Sequence, residues 1–256
     1  MLDTNQPRIE AALEVVDSEI EFVTVERRAF RRFRQRLSAI DPATPATAGT
    51  TTGDGAALSL ASGTPSPGEG IREVRRANRE TVMDTPHFET EYGESLRANV
   101  AAELGSEVAT QVADGSRLTP VLHEALDAGS KQAVVERTEF RRILERERDS
   151  LTAIRATLDD CDRRLLEIGE TISEGPDSVT LGHLDERLVA IERECQDQAE
   201  DRQRRLRHRS VGSFTGVEGR SLVEFLYAEC EATCPGLAAI ADCLSTVQTL
   251  RQRCLR

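Results

Sequence analysis

The sequence predicts an all-α protein built on a long antiparallel helical hairpin. Three observations carry this reading. First, from Phe140 to Ile172 apolar residues recur at steps of four and three: Phe140, Leu144, Leu151, Ile154, Leu158, Cys161, Leu165, Ile168 and Ile172. Only Glu147 interrupts the series. That is the seam of a helix burying one narrow face against other helices. Second, Gly175-Pro176 stops this helix, and a second seam follows at Leu181, Leu184, Leu188, Ile191 and Cys195. Two long helices joined by a short turn make an αα-hairpin. Third, hydrophobic residues are 38% and aromatics 4% of the 256 residues. This lies below the roughly 45–50% of globular chains and suits thin helix packing, in which each helix buries only a stripe.

Along the chain five segments are expected: an amphipathic helix (1–40), a linker (41–70), a short-helix unit (71–116), the hairpin (117–209) and packing helices (210–256). The first helix runs from Pro7 to Ile40, with Leu13, Val16, Ile20, Val23, Arg27, Phe30, Arg34 and Leu37 as its seam. Acids fill its first part and arginines its second, matching the helix macrodipole. Residues 41–70 are rich in Pro, Thr, Ala, Ser and Gly. They lack the apolar groups that would offset ordering entropy, so a disordered linker is expected there. The sequence leaves open whether the first helix docks on its own chain or on another.

Short helices are expected over 71–83, Phe88–Ala101 and Glu103–Ala113, with Gly105 as a kink. Thr119-Pro120 provides an N-cap and a first-turn proline for the long helix. That helix extends to Ile172, with Gly129-Ser130 as a point where it can break. Its partner runs from Leu181 to His208. Ser221 to Glu224 has the spacing of a capping box. Cys234-Pro235 opens the last helix, whose buried face is expected at Leu237, Ile240, Leu244, Val247, Leu250 and Cys254.

The formal net charge is −12, and Lys131 is the only lysine beside 32 arginines. Acidic excess with Arg in place of Lys fits a protein working in high salt, where charges are screened within about 3 Å. The Arg bias of a GC-rich genome is the alternative explanation, weighed below the high-salt one, and the two are compatible. Global acidity weighs against nucleic acid or an anionic membrane as the main partner. No apolar run reaches the ~18 residues of a membrane span, and the start has no signal-peptide pattern, so a cytoplasmic location is expected.

Two arginine clusters are candidate interaction sites: Arg27, Arg28, Arg31, Arg32, Arg34 and Arg36, and Arg202, Arg204, Arg205, Arg207 and Arg209. Either suits phosphates, but charge complementarity to acidic protein surfaces is the simpler role. Cys230, Cys234, Cys243 and Cys254 are the candidate metal ligands. Their spacings match no usual zinc motif, and packing as small hydrophobes is the weightier reading. His87 lies among acids, where a helix-start turn is the simpler account of it. No phosphate-binding loop, dinucleotide, zinc-protease or nucleophile-elbow motif occurs. The reading is therefore non-enzymatic and free of cofactors: a helical scaffold or interaction protein that associates with itself or a protein partner. The alternative is a nucleic-acid-associated regulator using the arginine clusters.

Several stretches carry a resemblance: Glu26 to Phe33, Arg79 to Met83, His87 to Ser95, Glu136 to Phe140 continuing through Leu151, and Ser221 to Tyr227. On these the chain resembles a family of uncharacterised, acidic, helix-rich proteins of halophilic archaea. The resemblance implies fold and habitat. It transfers no activity and no site.

Overall fold

A computed structural model describes residues 6–43, 68–207 and 222–255. Every regular element among these is a helix: α1 (Gln6–Leu37), α2 (Glu69–Arg79), α3 (Phe88–Glu91), α4 (Leu96–Leu104), α5 (Ser106–Asp114), α6 (Pro120–Ser173), α7 (Ser178–Arg207), α8 (Leu222–Leu226) and α9 (Pro235–Cys254). The expected linker lies almost wholly outside the described residues. The chain divides into two units, one formed by Met1–Glu21 with Arg141–Arg256, the other by Phe22–Phe140. Helices α1 and α6 each supply residues to both units.

In the first unit α6 and α7 run antiparallel. Arg202 reaches Glu147 at 2.9 and 2.5 Å, Gln198 meets Thr157 at 3.3 Å, Arg164 meets Glu194 at 2.7 Å and Arg187 meets Glu167 at 3.3 Å. The pairs advance along α6 as they retreat along α7, which is the expected hairpin. Helix α9 adds a third rod, antiparallel to α7: Arg251 bonds Asp185 and Glu192, both at 2.9 Å, while Cys243 meets Cys195 farther along. Leu151, Ile154, Leu158, Cys161, Leu165 and Ile168 of α6 are buried with Leu184, Leu188, Ile191 and Cys195 of α7. Each buried Leu or Ile contributes about 1.5–3 kcal/mol. The first half of α1 buries Ile9, Ala12, Leu13 and Val16 in the same chain, so this helix docks in cis.

The buried face of α9 differs from the sequence expectation. Ala239, Ile240, Cys243, Val247 and Leu250 are buried, whereas Leu237, Leu244 and Cys254 are only half-buried. A three–four alternation starting from Ile240 satisfies a straight helix through either 243 or 244. Cysteine's smaller side chain at 243 lets α9 approach the other two rods.

The turn between α6 and α7 holds Gly175 at φ +73°, with nothing within 4 Å of where a Cβ would lie. Asp177 then starts α7 by accepting from the Thr180 N–H at 2.8 Å, a bond that holds its carboxyl below the ordinary range. Gly175→Ala is expected to lower stability by about 1 kcal/mol through backbone strain alone. Gly175→Asn should lose less. Urea titration of the two variants measures the difference.

The second unit packs the latter part of α1, the helices α2–α5 and the start of α6. Its core joins Phe30, Phe33 and Leu37 of α1 to Ile71, Val74, Val100, Val112, Leu122 and Leu126. The stretch expected as one helix from Phe88 to Ala101 is two, α3 and α4. Gly93 at φ +53° ends the first, and the Ser95 hydroxyl caps the second by accepting from the Ala98 N–H at 3.3 Å. The Thr119 hydroxyl caps α6 as expected, accepting from the Leu122 N–H at 3.2 Å. Helix α6 does not break at Gly129. A Cβ there would lie 3.0 Å from the Leu104 methyl, so this glycine serves a close helix crossing instead.

Candidate metal centre

The interior of the first unit contains a constellation of three thiols. Cys161 of α6, Cys195 of α7 and Cys243 of α9 are each 0% exposed. Their sulfurs all lie within 4.8 Å of one another, and the Cys195 and Cys243 sulfurs are 3.6 Å apart. The helix geometry puts them there. Cys161 and Cys195 occupy seam positions, and Cys243 occupies the inward position of α9, so the three form one layer across the three rods. All are free thiols.

The thiols share their protons unequally. Hydrogen bonds from Cys195 and Cys243 pull Cys161 well below the ordinary thiol range, and the nearby Arg164 guanidinium adds to this. The same bonds push Cys195 and Cys243 up. A soft metal ion would bind here by displacing thiol protons, so its affinity would rise with pH. Three sulfurs around one ion at about 2.3 Å stand roughly 4 Å apart in a plane, which matches this spacing. Among the described residues no histidine, carboxylate or fourth cysteine joins the cluster.

Of the cysteines singled out from sequence, only Cys243 belongs to this centre. Cys230, Cys234 and Cys254 are half-buried and lie in no ligand cluster among the described residues. Cys234 stands at the N-cap position of α9 without a side-chain cap bond, as a Cys-Pro helix start predicts. Cys161 and Cys195 are 34 positions apart, so local spacing conceals them. The available signal was that both occupy seam positions of facing antiparallel helices.

The same unit holds a second buried polar feature. Glu147, which interrupts the heptad, is 0% exposed and Arg202 is 1% exposed. Arg202 donates to both Glu147 oxygens, at 2.9 and 2.5 Å, and to the Ser150 hydroxyl at 3.3 Å. The Tyr227 hydroxyl donates to Glu147 at 2.8 Å. Burial alone would lower the guanidinium's pKa, but the Glu147 charge outweighs it and holds the group above its ordinary value. Burial, then the same carboxylate, pushes Tyr227 up. Arg202 thus leaves the expected surface cluster: its charge is consumed inside the unit.

The other arginines are dispersed. Arg204 and Arg205 share Asp201, and Arg209 and the side chain of Arg207 lie outside the described residues. Arg34 forms a fork on Asp127 at 2.9 and 3.2 Å, and Arg36 bonds Glu80 at 2.5 Å. Arg27 is half-buried, while Arg28, Arg31 and Arg32 are exposed on α1. His87 is buried at the start of α3, stacked on Phe22 at 4.4 Å, with Nε2 3.1 Å from Glu26. Glu26 also accepts from Tyr92 at 2.8 Å and Arg137 at 2.8 Å, and Arg137 reaches Glu103 at 2.7 Å. This network ties α1, α3, α4 and α6 together inside the second unit and is satisfied as it stands.

No helix is long and apolar enough to cross a membrane among the described residues. No curated protein and no solved structure matches the chain. A family model described as "Domain of unknown function (DUF7260)" matches residues 7–251. With nearly the whole sequence covered, including every residue of the three-thiol centre, the chain belongs to that family.

Proposed function

We propose that this is a non-enzymatic helical protein whose first unit holds one thiophilic metal ion, and that it acts on a protein partner through its helix faces. The observation that carries the metal reading is the convergence of three buried thiols from three separate helices. Packing alone needs three small apolar groups, and alanine or valine would supply them. Three thiols within 4.8 Å of one another suit a soft cation. Zinc ordinarily takes four ligands, and a dry layer with three sulfurs offers no fourth. A cuprous ion, content with three sulfurs, fits better. Its chemistry here is structural or storage-like: it cross-links α6, α7 and α9.

The test uses the full chain with Cys230, Cys234 and Cys254 replaced by Ser, so that only the buried trio remains. Anaerobic titration with cuprous ion against a competing chelator should give one ion per chain, with zinc bound more weakly. Reading the trio as mere packing requires no stoichiometric binding, and that result would remove the proposal. The partner reading is tested separately, by nuclease-treated co-purification in high salt. A partner lost with nuclease would transfer the role to the exposed Arg28, Arg31 and Arg32.

A further inference from the structure

The second unit carries a basic groove that neither arginine cluster of the sequence anticipated. It is an open cleft of about 730 Å³ lined by Arg72, Arg75, Arg76 and Arg79 of α2, by Arg97 of α4, and by one carboxylate, Glu80. The four α2 arginines fall within eight residues. On a helix, positions 72, 76 and 79 make one ridge about 10 Å long.

Their states differ in a way that suits a binding site. Arg75 is fixed: its guanidinium donates to the Val112 and Gly115 carbonyls, both at 2.6 Å. Those acceptors are neutral, so its charge remains uncancelled. Arg97 is held by Asp114 at 2.8 Å, and Arg76 touches Glu73 only at 3.6 Å. Arg72 and Arg79 are exposed and pair with no carboxylate among the described residues. In a chain of net charge −12, with carboxylates abundant, uncancelled arginines converging on one cleft are a local inversion of sign. Guanidinium groups recognise phosphate oxygens through paired N–H donors, and such forks outperform a point charge.

We propose that this groove binds a small oligophosphate group, the di- or triphosphate of a nucleotide or free tripolyphosphate. The cleft volume lies within the roughly 300–1,000 Å³ of small-ligand sites. No aromatic side chain lines it. Single-strand nucleic acid binding relies on aromatic stacking platforms, so the groove reads phosphate and not base.

The experiment is equilibrium binding of fluorescently labelled ATP to the full chain at low salt, with competition by unlabelled tripolyphosphate, GTP, orthophosphate and a 12-nucleotide single strand. Tripolyphosphate and GTP should displace the probe about equally with ATP, and orthophosphate at least tenfold less well. Arg72→Gln/Arg79→Gln should weaken binding about tenfold or more. Arg72→Lys/Arg79→Lys should recover only part, because charge returns without the fork. Arg163→Gln/Arg204→Gln, on exposed positions of the other unit, should leave affinity unchanged. The α2 positions are solvent-exposed, and unchanged circular dichroism confirms folding. The proposal is overturned by no binding of any phosphate probe, by equal weakening by the control pair, or by preferential displacement by the oligonucleotide. The last assigns the groove to nucleic acid. Strong preference for ATP over tripolyphosphate would also contradict it, since it requires base recognition.

Discussion

Glu147→Leu is expected to destabilise the first unit by about 3–5 kcal/mol. The change leaves the Arg202 guanidinium charged, buried and without its counter-charge, and an uncompensated interior charge costs that much. Arg202→Met should cost a similar amount by leaving the buried carboxylate without its counter-charge. The paired change Glu147→Leu/Arg202→Met should cost much less than the sum, because both charges leave together. Adding Tyr227→Phe removes the last stranded donor and should recover most of the stability. A double-mutant cycle in urea measures the coupling. Additive losses would show that the pair is not a single unit.

The same cluster sets a pH dependence. Tyr227 is raised above the ordinary tyrosine range by burial, then by Glu147. In the unfolded chain it releases its proton near pH 10. Above that pH the folded state retains more protons than the unfolded one, so stability falls as pH rises. Below it both states hold the proton and the contribution is flat. Tyr227→Phe should remove this part of the alkaline loss, as thermal melts between pH 9 and 11 would show.

The second large effect concerns the three-thiol layer. Cuprous ion at a hundred times its dissociation constant should stabilise the unit by about 2.7 kcal/mol, since the unfolded chain cannot assemble the site. Cys161→Ser should abolish this gain. Without metal the same variant should cost only about 1 kcal/mol, the price of placing a hydroxyl among thiols. Cys254→Ser should leave the metal-linked gain intact. The gain should shrink on acidification, because thiols must be deprotonated to bind. Retention of the gain in Cys161→Ser would place the ion elsewhere.

Much of the fold was legible because its signals are local. The steps of four and three from Phe140 to Ile172 define α6, Gly175-Pro176 defines its end, and Thr119 defines its cap. The α3–α4 break was missed because Gly93 sits in an otherwise helical stretch. Gly129 misled for the opposite reason: a glycine needed for close approach to Leu104 looks the same in sequence as a helix breaker. The site was less legible still. Glu147 was visible as an interruption, yet Arg202 lay inside an arginine run whose members look alike until the hairpin register selects one. Likewise Cys243 was noticed beside its sequence neighbours, while its spatial neighbours Cys161 and Cys195 read as ordinary seam residues. Pairings between helices depend on register, and one chain does not display register.

X-ray absorption at the copper edge, on full chain loaded with one equivalent of cuprous ion, tests the metal centre most directly. Three sulfurs at about 2.2–2.3 Å with no nitrogen or oxygen ligand, lost on Cys161→Ser, is the expected result. A mixed nitrogen and oxygen shell, or a spectrum unchanged by Cys161→Ser, would contradict it.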